Sequence, residues 1–280
     1  MSMLGQRVVT AIVLLALLVP ALLAPVDWPF NLLTLLLIAA AGWEWARLNQ
    51  SSMPTSLAIG LLLAVACLAA LAVGWVTHPP ASAWWLDTAV WVLGGAWALR
   101  KGTALWPQLP RALRLVLGLA ALWAAWLAIS HARGVGINFI LSVFCLVWVA
   151  DIAAYFGGRR FGRRKLAPSI SPGKSWEGVY SGMAGVFVLT LVWRSVESRI
   201  ETDSLSLYAQ LLERFGLIGG LLALAFLAGM SVVGDLMESL VKRAAGAKDS
   251  SRLLPGHGGV LDRVDALLPV FPLSLALLSL

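Results

Sequence analysis

Charge is scarce in this chain. Only 12% of its 280 residues are charged, with 14 Asp and Glu against 21 Lys and Arg. Two cysteines exclude a disulfide framework and a cysteine-based zinc cluster. Both, Cys67 and Cys145, fall inside apolar runs and read as small packing residues. No internal repeat or low-complexity segment interrupts the pattern. Hydrocarbon fills the rest: 60% of residues are hydrophobic and the mean hydropathy is +0.85, which excludes an ordinary soluble domain.

Apolar runs approaching the roughly 20 residues a helix needs to cross a bilayer recur along the whole length. A bilayer offers the backbone no water, so spanning segments are helices or a closed barrel, and runs without alternation exclude the barrel. The expected fold is an all-α polytopic membrane helical bundle of about nine transmembrane helices, near residues 8–24, 30–46, 57–77, 84–99, 113–131, 136–156, 178–194, 216–235 and 264–280. One integral-membrane domain over 1–280 is expected, with spans of no legible chemistry in 1–135 and a catalytic half in 136–280.

With these spans, 17 of the 21 Lys and Arg fall with the N-terminus and the loops after even-numbered spans. Arg133, Arg194, Arg199 and Arg214 are the exceptions. This asymmetry predicts that the N-terminus and the large basic loops are cytoplasmic. The basic excess therefore needs no nucleic-acid partner. Arg7 followed by an apolar run resembles a signal peptide, but no convincing A-x-A site follows.

The first half is mostly Leu, Ala and Trp. Its acids near spans, Glu44 in "WEWARL" and Asp87 in "WWLDTAV", read as structural or topological groups at span ends. The 14 tryptophans read as interfacial belt and bundle packing.

Polar density in the second half gathers in two basic loops and the span ends that feed them. Asp151 lies near the inner end of the sixth span, where an ionisable group points to function. Arg159, Arg160, Arg163, Arg164, Lys165 and Lys174 follow, a cluster that suits orientation and anionic lipid. "SPGKS" is not a Walker A loop, because Pro168 stands where that motif needs glycine and a membrane span replaces the strand. Lys174 and Ser175 nonetheless precede a helix N-terminus, which favours an anion.

The last loop is sharper. If the helix through Asp235 continues to Ala245, with Gly246 as its cap, Asp235, Ser239 and Lys242 share one face. Lys248, Asp249 and Arg252 follow, then "LLPGHGGVLDRVDALL". Asp262 and Asp265, three apart, are neighbours on a first helical turn; capping explains one of them, but not both beside Asp235. Few carboxylates among many cations suit Mg²⁺ bound together with substrate phosphates, as phosphoryl and nucleotidyl transfer require. Gly256, Gly258 and Gly259 allow close backbone approach to a phosphate, and His257 among them is placed to donate to one or to protonate a leaving group.

"SLVKRAAGAKDSSRLLPGHGGVLDRVD", Ser239 to Asp265, resembles the hallmark motif of the phosphatidate cytidylyltransferase (CDP-diacylglycerol synthase) family, with every defining position filled. Asp151 through "GRRFG" to "SPGKSWEG" resembles a second stretch of that family, with Ser175 where Thr is more usual. The resemblance implies that CTP and phosphatidate give CDP-diacylglycerol and pyrophosphate on the cytoplasmic face of a membrane, with Mg²⁺ or another divalent ion such as Mn²⁺. A bacterial inner membrane is the expected location, and a homodimer is compatible with it. Carried residue by residue, it implies that Asp235 and Asp262 hold the metal, with Asp265 an additional or supporting ligand. Lys242, Arg243, Lys248 and Arg263 match phosphate-binding positions. His257, Ser239, Asp249, Gly258, Gly259, Asp151, Lys174 and Ser175 complete the expected site.

Two other readings compete. A CTP-dependent polyprenol or dolichol kinase would use the same substrate classes but transfer the γ-phosphoryl group. A transporter would place its charged groups near the bilayer midplane on broken helices, whereas these acids gather at one interface. The Asp-Gly-x-x-Ala-Arg pattern of CDP-alcohol phosphotransferases is absent.

Overall fold

A computed structural model of the chain describes residues 3–280, with side chains from residue 5 onward. Among the described residues, seven helices are long and apolar enough to cross a membrane. They are α1 (Met3–Leu23), α2 (Trp28–Leu48), α3 (Met53–Ala72), α6 (Arg111–Val135), α7 (Ile137–Phe161), α8 (Trp176–Glu197) and α9 (Leu207–Ala244). The expected fourth span is a helical run whose middle widens: α4 (Ala81–Ala89) passes through a π-helical stretch, Val90–Gly94, into α5 (Gly95–Lys101). The fold is an all-α polytopic bundle. A short antiparallel hairpin that was not anticipated, β1 (Lys165–Ala167) with β2 (Ser171–Ser175), joins α7 to α8.

Of the nine expected spans, the fourth and the last are not among these seven long apolar helices. A one-turn helix, α10 (Leu261–Val264), is followed by α11 (Leu267–Leu278), only 12 residues long. Asp265 and Ala266 between them keep right-handed helical backbone angles, so the run from Leu261 to Leu278 is nearly continuous, about 27 Å at 1.5 Å per residue. Every residue from Leu267 to Ala276 is buried, and α11 packs against α4, α6, α7 and α9. Its apolarity answers to protein neighbours, a distinction that hydropathy does not register.

The eighth expected span, 216–235, is extended inward. The backbone of α9 breaks at Gly216 (φ 68°, ψ 179°) and then stays helical to Ala244, so Glu238, Ser239 and Lys242 ride on the same rod as Asp235. Gly246, at φ 69°, follows the helix end, as a glycine after a helix should. Close packing of α8 on α7 uses small residues: a methyl group at Gly182 would lie 2.8 Å from the Ala150 carbonyl oxygen, and one at Gly178 2.9 Å from that of Ala154.

The two ends of the bundle differ in their polar content. At one end, the 198–206 loop caps α7: Asp203 accepts hydrogen bonds from the Ile137 and Asn138 amides, and Glu197 accepts from the Asn138 amide side chain and from Ser206. Burial alone would raise the Asp203 carboxyl, but the backbone donors outweigh it and hold it below the ordinary aspartate value. At the other end the inner part of α2, the hairpin, the end of α9 and α10 come together.

Candidate active site

Asp235, on α9, is the hub of this second end. Its Oδ2 meets the Lys174 ammonium at 2.8 Å, and its Oδ1 accepts from the Ser239 hydroxyl one turn on at 3.3 Å. Lys174 reaches it because the hairpin folds back over the bundle, with Lys165 paired to Ser175. Asp151 on α7 and Asp265 beyond α10 also lie within electrostatic reach of Asp235, and Arg263 and Lys174 lie within reach of Asp151. Three carboxylates from three elements thus share one field. Burial, then the charges of Asp235 and Asp151, push the Asp265 carboxyl above its ordinary value.

Asp262 faces another way. Its Oδ2 accepts from the Ser250 amide, the Ser250 hydroxyl and the Gly259 amide, each at 2.8 Å, and its Oδ1 is bound by the Lys242 ammonium. Burial alone would raise its carboxyl; the hydrogen bonds from Lys242, Gly259 and Ser250 instead hold it at about 2. Lys242 is bound on its other side by Glu238, one turn back on α9. So the expected face of Asp235, Ser239 and Lys242 divides: Ser239 turns to Asp235, while Lys242 bridges Glu238 and Asp262.

The glycine loop is a closed turn. The Leu254 amide donates to the Gly258 carbonyl and the His257 amide donates to that of Leu254, each at 2.8 Å. Gly256 and Gly258 have φ of 74° and 83°, where a side chain would be strained. Arg263 donates twice to the His257 carbonyl, at 2.8 and 3.1 Å. The Nδ1 of His257 is buried without a hydrogen-bond partner in the structure. Arg243 donates to the Ala247 carbonyl and closes the end of α9, while Lys248 and Asp249 are exposed at the rim. Ser175 is the N-cap of α8, its hydroxyl accepting from the Gly178 amide, a structural duty that its place before the helix predicts. Arg163 and Arg164, from the basic cluster, bind Glu177 through their backbone amides.

One site residue escaped the sequence reading, and a second was read without its partners. Glu238 sits three residues after Asp235 and four before Lys242, a spacing that could have placed it on their face. Glu44, read as a structural or topological group, is fully buried and accepts hydrogen bonds from Ser250, Ser251 and the amides of Val260 and Leu261. Its sequence signal was an acid near the end of an apolar run.

Can these residues hold a divalent cation? Among the described residues no three Asp, Glu, His or Cys side chains form a ready cage. A cation held by one or two carboxylates and completed by substrate phosphates needs no such cage. The Lys174 ammonium on Asp235, beside Asp265 and Asp151, marks where positive charge is wanted. Asp262 is already filled by protein donors.

A family model described as the cytidylyltransferase family matches residues 5–280. The chain belongs to the cytidylyltransferase family. A phosphatidate cytidylyltransferase of Pseudomonas aeruginosa is 39% identical over 287 aligned positions, covering 99% of this chain and 97% of that one. One from Brucella suis is 34% identical, covering 95% and 90%. A relative of the same name from Haemophilus influenzae is 44% identical over 51% of this chain and 46% of its own. Family membership thus extends to the first half, where the motifs were silent.

Proposed function

We propose that the chain converts CTP and phosphatidate into CDP-diacylglycerol and pyrophosphate, in phospholipid biosynthesis. The carrying observation is the juxtaposition of Asp235, Asp265 and Asp151 with Lys174, Lys242 and Arg263 at one end of a membrane bundle, in a chain matched over nearly its full length by phosphatidate cytidylyltransferases. A non-bridging oxygen of the phosphatidate phosphate attacks the α-phosphorus of CTP. The new P–O bond forms as the bond to the β-phosphate breaks, and pyrophosphate leaves with the electron pair. A phosphate monoester is largely ionised near neutral pH, so positioning and charge neutralisation carry most of the barrier reduction. Mg²⁺, when bound, would neutralise phosphate oxygens; Asp235 would hold it, with Asp265 and Asp151 adjacent and Asp262 ordering the loop beside it. Lys174, released from Asp235, and Lys242 and Arg263 would bind phosphate oxygens.

A lipid substrate is supported by a second observation. Bordered by Glu238 lies an almost wholly apolar cavity walled by Trp91, Gly94, Leu117, Met237 and Leu268. The π-helical stretch forms one side of it, and a methyl group added at Gly94 would meet nothing within 4 Å. We assign it to an acyl chain. The proposed setting is a bacterial inner membrane with the site on the cytoplasmic side, supported by the basic loops gathering at that end.

The test is incubation of membranes containing the protein with cytosine-labelled CTP, phosphatidate and Mg²⁺. Label entering the lipid fraction as CDP-diacylglycerol, with release of pyrophosphate, is expected. Label appearing as free CDP beside a newly phosphorylated lipid would assign a CTP-dependent kinase instead.

A further inference from the structure

The role of Glu44 goes beyond the reaction just described, although it rests on that reading for its activity readout. Glu44 sits near the inner end of α2, more than 200 residues from its partners, and its side chain is fully buried. Its Oε1 accepts from the Ser251 hydroxyl at 2.6 Å and the Val260 amide at 2.9 Å. Its Oε2 accepts from the Leu261 amide at 2.8 Å and the Ser250 hydroxyl at 3.1 Å. Among the described residues no Lys or Arg forms an ion pair with it, so these four dipoles carry the burden of its burial.

We infer that Glu44 is a positioning residue, the mould against which the 250–261 loop is set so that Asp262, Lys242 and Arg263 are presented in working geometry. Three features carry this. First, the bonds grip both ends of the loop, Ser250 and Ser251 on one side and Val260 and Leu261 on the other. Second, Ser250 offers its one hydroxyl proton to both Glu44 and Asp262, so the outer carboxylate and the site carboxylate are joined through a single atom. Third, a side chain at Gly259 would collide with the Glu44 carboxylate and the Ser250 hydroxyl, which gives that glycine a reason independent of any phosphate. Arg7 and Thr10 of α1 add outer restraints, donating to the Gly256 and Pro255 carbonyls at 3.0 and 2.8 Å.

Chemistry makes the grip specific for a carboxylate. Glutamine keeps one acceptor oxygen, and whichever way its amide turns, its NH₂ faces the Val260 or the Leu261 N–H. Glu44→Gln is therefore expected to retain a folded, membrane-inserted protein, to lower kcat about 100-fold with KM for CTP and phosphatidate little changed, and to speed hydrogen exchange at the Val260 and Leu261 amides while the α9 amides stay protected. Ser251→Ala, which removes the bond to Glu44 and the one its hydroxyl accepts from the Leu253 amide but no charge, should lower kcat less, and the double variant should be no worse than Glu44→Gln alone. If Glu44→Gln is poorly folded, Ser251→Ala and its combination with Thr10→Ala carry the same comparison. Unchanged kcat, unchanged loop exchange, or a loss of activity that only tracks loss of folded protein would overturn the inference. Wild-type protein yielding no CDP-diacylglycerol would overturn the functional reading instead, while the exchange comparison would still judge the mould.

Discussion

The two ends of the bundle use the same residue type in opposite ways. At the 198–206 end, Asp203 and Glu197 are met by backbone and side-chain donors and serve to fix where helices begin. At the other end, Asp235, Asp265 and Asp151 crowd one another, with Lys174 as the sole ion-pair partner found among them in the described residues. Satisfied acids build the molecule; under-satisfied ones are left for a ligand. Asp262 and Glu44 belong to the first kind although they stand at the second end.

That contrast is broken most severely at Asp235. Asp235→Asn keeps the shape and removes the charge that collects cations, so CDP-diacylglycerol formation in membranes should fall about 1,000-fold or more, with thermal melting hardly moved. Asp262→Asn should also abolish most activity, but with a signature that separates it: one donor-to-donor conflict against Lys242, Ser250 or Gly259, and a melting point lowered along with the rate. Equal melting for the two variants would erase the distinction drawn here.

A smaller effect is expected at the cavity. Gly94→Leu should fill it, lowering turnover of long-chain phosphatidate several-fold while sparing a dioctanoyl substrate, as measured by kcat/KM on each. Equal loss on both chain lengths would remove the acyl assignment. The smallest is at the satisfied end: Asp203→Ala should cost about 1 kcal/mol of stability, through the lost cap, and leave turnover per folded molecule intact. Because the folded-state pKa of Asp203 is depressed, its stabilisation is present above the ordinary aspartate value and is lost as pH falls through the folded one. The pH dependence of melting should therefore flatten in the variant at the acid end alone.

Much of this was legible in the residues. Apolar runs located seven long apolar helices because lipid demands them, and a helical run with a π-helical middle occupies the fourth expected position. Continuation of α9 to a Gly246 cap, and Ser239 on the face of Asp235, followed from helical periodicity alone. The burial of the ninth expected run among other helices was not legible, because Leu and Val look the same whether they face lipid or α9. The partners of Glu44 stayed hidden for a different reason: hydrogen bonds spanning more than 200 residues leave no local spacing to read. The direction in which Asp262 turns depends on Gly259, three residues before it and within the capping reading, and on Ser250, twelve residues before it, which no helical period relates to it.

The buried helix α11 ties the site to the middle of the bundle. It is walled by α4, α6, α7 and α9. Asp265 lies just before it, and Gly234 of α9 packs against the Asp265 carbonyl and Pro269. The place of Asp265 is thus set by how α11 seats itself in the bundle.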